Sequence, residues 1–109
     1  MNLSTNDMLV LQHFFSVRPV KKAYLFGSYA RNEADKNSDL DILVELDHSR
    51  PIGMKFFGYQ VELEDLLKLK VDLVSVEGLS KYVKSFVDKD KILIYERTNE
   101  YQVPGFVVA

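Results

Sequence analysis

Apolar positions along the 109-residue chain alternate between helical and strand periods. Met8, Leu9, Leu11, Phe14 and Phe15 recur at helical spacing behind Ser4, Thr5 and Asn6, three candidate N-caps, and Pro19 ends the segment. A first strand is predicted from about Lys22, its apolar run 23–26 arriving at Gly27-Ser28 as a buried strand closing on a turn. Tyr29, Ala30 and Arg31 read as a short helical piece. Residues 42–46 form a second apolar run, and 47–51 a turn. Residues 53–69 carry Phe56, Tyr59, Leu63, Leu66 and Leu67 at helical spacing, a stripe expected to be core. Residues 70–76 have strand composition. Leu79, Tyr82, Val83, Phe86 and Val87 follow at i, i+3, i+4, i+7 and i+8, which predicts an amphipathic helix. Residues 92–95 give a last strand.

This succession predicts an α/β (α+β) chain, with helices packed on a small mixed β-sheet of about four strands. The length suits one core, expected over residues 1–98, with 99–109 as a C-terminal tail. Pro104-Gly105 followed by Phe106, Val107, Val108 and Ala109 makes that tail a candidate interface with the chain's own core, a second subunit or a partner. Homo-oligomerisation is therefore left open. Apolar content of 47% and charged content of 28% are those of a globular domain. A net charge of −2 gives no electrostatic case for nucleic acid. Absence of cysteine excludes a disulfide framework and thiolate metal sites. No apolar run exceeds four residues, which predicts no membrane span or secretory segment and makes the cytoplasm the expected compartment.

Two short stretches carry chemistry. Gly27-Ser28 follows a strand and opens a helical piece whose first backbone N–H groups can hold a phosphate, with Ser28 donating a further hydrogen bond. Ten residues on, Ser38-Asp39-Leu40-Asp41 opens the second strand, and strand alternation puts Asp39 and Asp41 on one side. Two carboxylates held close repel each other, and a cation between them keeps both ionised. Alone, Gly-Ser is an ordinary turn and Asp-x-Asp a solvated edge or helix cap; together at this spacing they suit a metal-bound nucleotide. Asp72 interrupts the third strand where an apolar residue is expected, a costly place for a carboxylate unless it is paired or bound to metal. Other polar groups read blandly. His13 and His48 are expected as surface or packing residues rather than ligands, Glu62, Glu64 and Asp65 on a solvated helix face with Lys68 nearby, and Lys81, Lys84 and Lys89 off the apolar stripe.

The stretch G-S-Y-A-R, then S-D-L-D, resembles the signature of the polymerase-beta-like nucleotidyltransferase superfamily, matching at Gly27, Ser28, Ala30, Arg31, Ser38, Asp39 and Asp41. In its short length the chain is most similar to the minimal nucleotidyltransferases, antitoxin-like partners of HEPN-domain toxins. One departure is Asn32, where many members carry Gly; Asn tolerates a left-handed backbone better than most residues. The resemblance implies a polymerase-beta-like fold and transfer of a nucleoside monophosphate, AMP from ATP, onto a hydroxyl. It implies Asp39, Asp41 and Asp72 as catalytic and metal-binding residues around two Mg²⁺ ions, with Asp72 taking the hydroxyl proton. Gly27, Ser28, Arg31 and Ser38 would bind the nucleotide, Arg31 either neutralising phosphate charge or forming a structural ion pair. The expected acceptor lies on another molecule, by resemblance a Tyr of a HEPN-type toxin. Two alternatives stand beside it: a non-catalytic antitoxin that blocks a toxin by complex formation, and an aminoglycoside-type enzyme acting on a small molecule.

Overall fold

The computed structural model describes residues 2–50 and 52–98; the expected role of the 99–109 tail lies outside them. In chain order the elements are α1 (Thr5–Ser16), β1 (Val20–Phe26), α2 (Gly27–Ala30), β2 (Leu40–Leu46), α3 (Lys55–Leu67), β3 (Val71–Ser75), a 3₁₀ turn (Val76–Gly78), α4 (Lys81–Asp90) and β4 (Ile92–Glu96). Four strands make one mixed sheet in the order β3-β2-β1-β4. β1 runs antiparallel to both β2 and β4, while β2 and β3 are parallel. This is the α+β arrangement expected from the sequence.

Local chemistry explains the ends of the elements. Ser4 caps α1, its hydroxyl accepting from the Asp7 N–H at 3.0 Å, and so satisfies one of the helix's orphan donors. The helix ends at Ser16, three residues before the proline. α3 is two residues shorter at each end than the periodicity suggested, because Gly53 turns the chain with φ 54 and Lys68 closes the helix in a left-handed conformation. Ser80 caps α4 in the same way that Ser4 caps α1.

One face of the sheet holds the core. Leu40, Ile42, Val44 and Leu46 of β2 meet Leu11, Phe14 and Phe15 of α1 and Tyr59, Leu63 and Leu67 of α3. Burying each such side chain contributes about 1.5–3 kcal/mol before entropy is charged against it. Arg18 clips the two helices together: its guanidinium lies 3.5 Å from the Phe14 ring centroid and pairs with Glu62 at 2.7 Å. Period-two alternation then sends Asp41, Leu43 and Glu45 to the opposite face.

α4 forms as the periodicity predicts, yet its apolar stripe is largely uncovered. Val87 is its one buried residue, whereas Tyr82 is 83% and Phe86 68% exposed. The helix packs near α2, and Lys91 just beyond it stands 4.7 Å over the Tyr24 ring. Among the described residues no helix is long and apolar enough to cross a membrane.

Candidate active site

β1 delivers the chain to Gly27, which turns with φ 73 into the four-residue α2. Only glycine adopts that backbone cheaply. A second constraint acts at the same atom. A Cβ on Gly27 would collide with Oδ2 of Asp41 and lie 3.1 Å from its Cγ. The Asp41 carboxylate therefore rests directly over the Gly27 turn, which ties the two sequence stretches into one site.

The return loop to β2 is built from local polar bonds. Asn32 takes the left-handed conformation, φ 61, at the position where its side chain type makes that tolerable. Asp35 and Ser38 close an Asx-type turn: the Asp35 N–H donates to Ser38 Oγ at 2.9 Å and the Asn37 N–H to Asp35 Oδ1 at 2.8 Å. The Ser38 hydroxyl is thus engaged in shaping the loop that presents Asp39, which is exposed at the mouth of β2.

Register brings in the third acid. In the parallel β2–β3 pair Asp41 lies opposite Asp72. Side chains at paired positions share a face, and strands in a sheet stand roughly 4.8 Å apart. Asp72 is exposed between buried Val71 and Leu73. The burial cost anticipated for it from the sequence does not arise, because the Asp72 side chain itself stays in solvent. What marks it is its position beside Asp41.

Electrostatics record the crowding. Asp41 is half-buried, and its pKa is pushed up from 3.8 to about 6, first by burial and then by the charges of Asp72 and Asp39, against a smaller opposing effect of Arg31. No three acids or histidines among the described residues are already gathered tightly enough to hold a metal ion. The donor set nonetheless fits a hard divalent cation: three carboxylates, one in register with another, whose mutual repulsion a cation relieves. Asp39, Asp41 and Asp72 would hold it.

Arg31 sits differently. Its Nε donates to Glu33 Oε1 and its Nη1 to Asp90 Oδ2, both at 2.9 Å. The structure therefore places the ion-pair alternative for this residue on view. Asp90 was not legible as its partner in the sequence, being 59 residues away. Two further residues escaped it. Gln60 Oε1 accepts from the Leu73 N–H and Glu64 Oε2 from the Val71 N–H, each at 3.0 Å, so α3 holds down the edge strand on either side of Asp72. Glu64 is part of the acid cluster read as solvated; of its companions, Glu62 pairs with Arg18 and Asp65 with Lys68.

The sequence profile described as polymerase beta, nucleotidyltransferase, matches residues 10–100. MJ0128 of Methanocaldococcus jannaschii, named as a candidate protein adenylyltransferase, is 47% identical over 77 residues, covering 69% of this chain and 76% of its own. The protein adenylyltransferase MntA of Thermococcus cleftensis is 37% identical over 84 residues, covering 77% and 81%. In fold, the chain is similar to one from a solved complex of a tri-AMPylated Shewanella oneidensis HEPN toxin with its MNT antitoxin. That likeness has TM-score 0.66 at 18% identity and covers 97% of this chain and 82% of the other.

Proposed function

The chain belongs to the polymerase beta nucleotidyltransferase family, and on that premise we propose that it is a metal-dependent protein adenylyltransferase acting as the antitoxin of a HEPN-type toxin. One observation carries the chemistry. Asp41 lies in register with Asp72 while its carboxylate rests over the Gly27 turn, so acid cluster and phosphate turn form a single surface. That is the arrangement needed to bind the triphosphate and the acceptor hydroxyl side by side. The relatives named as adenylyltransferases and the solved toxin–antitoxin pair of like fold support AMP as the group moved and a toxin as the acceptor.

Each residue then has a task. The Gly27 turn and Ser28 receive the β- and γ-phosphates through N–H and O–H donors. Asp39, Asp41 and Asp72 would hold Mg²⁺, which when bound supplies charge neutralisation at the attacking and leaving oxygens. A tyrosine hydroxyl of the partner attacks the α-phosphorus of ATP; the new P–O bond forms as the bond to the β-phosphate oxygen breaks, and pyrophosphate leaves. Asp72, the exposed acid, accepts the hydroxyl proton.

The test uses ATP labelled at the α-phosphate, Mg²⁺, and the protein encoded beside this chain. Label on that protein, lost with Asp39→Asn, is the expected result. Tight complex formation with no label on either protein would favour a binding-only antitoxin. Label on a small hydroxyl compound without any second protein would favour the small-molecule enzyme.

A further inference from the structure

The two edges of the sheet are finished differently. β3 is held from α3, whose Gln60 and Glu64 side chains accept from the Leu73 and Val71 N–H groups at 3.0 Å. β4, at the other edge, meets no further strand among the described residues. Gln12 of α1 reaches its backbone, donating from Nε2 to the Ile94 carbonyl at 3.1 Å. The strand reads Ile92-Leu93-Ile94-Tyr95, without a charge before Glu96, and Ile92 and Leu93 are each 47% exposed. An uncharged apolar edge of this kind is a template for another strand, and folded proteins cover or charge it. Beside it lies a groove of about 580 Å³ between α1 and β4, with Leu9, Gln12, His13, Leu93 and Glu96 in its walls. A second groove shares Leu9 and His13 and continues across α1 to Val17 and Leu66. Leu9, Val17 and Leu66 are all more than half exposed.

We propose that the chain covers this groove itself: residues 101–108 turn back from the end of β4 and seat on it, with Phe106 as the anchor between α1 and β4. Three observations select the chain's own segment over a second copy or another protein. Glu96, the last residue of β4, already lines the groove, so the chain leaves the sheet at its rim. The segment carries Tyr101, Val103, Phe106, Val107 and Val108 around Pro104-Gly105, apolar groups divided by a turn-forming pair. Phe106 stands eight residues beyond Thr98 and can reach about 26 Å, against roughly 17 Å for the five residues of β4. Tethering on so short a connection also holds the segment at millimolar effective concentration, which a separate molecule would have to match.

The chain has no cysteine, so a pair of introduced thiols reports the seating directly. His13→Cys, in the groove, is combined in turn with Val103→Cys, Val107→Cys and Val108→Cys in the full chain, and mild oxidation is followed with time at low protein concentration. Tyr82→Cys, exposed on α4 and outside the groove, replaces His13→Cys as the control. Disulfide closure demands Cα atoms within about 7 Å. At least one pair with His13→Cys should close within a monomer about tenfold faster than its Tyr82→Cys counterpart, the gain in effective concentration that docking confers. Adding Phe106→Asp should remove that advantage. Equal rates at the two positions, or no closure at His13→Cys, would overturn the proposal. Disulfide-linked dimers in place of closed monomers would overturn it in favour of a second copy on the groove. Should His13→Cys not fold, Ser16→Cys, on the same wall, is read in its place.

Discussion

Replacing Asp41 with Asn should stabilise the metal-free protein while abolishing its activity, because the wild-type carboxylate is held where its charge is disfavoured. Its pKa rises from 3.8 to about 6, with burial the larger cause and the neighbouring Asp72 and Asp39 the next. A rise of about two units corresponds to a ceiling of about 3 kcal/mol of penalty on the ionised form. Part of the side chain is open to solvent, and screening reduces that to on the order of 1 kcal/mol. The sign follows from linkage: the folded state holds this proton more tightly than the unfolded chain does. No penalty exists below about pH 4, where both states are protonated; it grows as pH rises and is complete above about 6. Thermal unfolding in EDTA should therefore find Asp41→Asn equal to wild type near pH 4 and more stable at pH 8, by roughly 4–8 °C for a domain of this size. Adding Mg²⁺ should raise the wild-type Tm and leave that of the variant nearly unmoved. A variant less stable than wild type at pH 8 without metal would refute the reasoning, since it would mean that Asp41 is stabilised by its surroundings.

Three further expectations follow from the same structure. Gly27→Ala forces a side chain into a left-handed backbone, costing about 1–2 kcal/mol, and also drives into the Asp41 carboxylate. It should lower Tm and eliminate Mg²⁺·AMP-PNP binding together, and binding at wild-type affinity would contradict the shared role of this atom. The double variant Gln60→Ala, Glu64→Ala strips two acceptors from the β3 edge, at about 1 kcal/mol each, and should reduce transfer more than it reduces nucleotide binding, as expected if Asp72 loses its placement. Asp47 has its pKa held well below the usual carboxylate range by hydrogen bonds from Ser49 and from Arg97. Its contribution is present above about pH 4 and is lost as pH falls through the lowered folded value. Asp47→Asn should give a flatter Tm profile on the acid limb, converging with wild type at the lowest pH; curves of identical slope would show that the hydrogen bonds are absent in solution.

The sequence by itself singled out the candidate site residues but not how they meet. Alternation along residues 40–46 was enough to oppose Asp41 to the core residues Leu40 and Ile42, because strand period is a property of the backbone. Gly27 and Asn32 announced left-handed turns through their own conformational preferences, and both φ values, 73 and 61, agree. Ser4 could be named among the caps because a cap bonds within three residues. These are short-range effects, and short-range chemistry is written in consecutive residues. The tertiary structure decided the rest. Asp72 stands beside Asp41 through the register of a parallel pair, and that register depends on α3 crossing between the two strands. Arg31 finds Asp90 across 59 residues, and Glu64, which the sequence presents as one more solvated acid, ties down the strand that carries Asp72. The α4 stripe shows the limit from the other side: its period predicted a helix, yet periodicity states only that apolar groups share a face. Whether anything covers that face is settled by where the helix is docked, which no local pattern encodes.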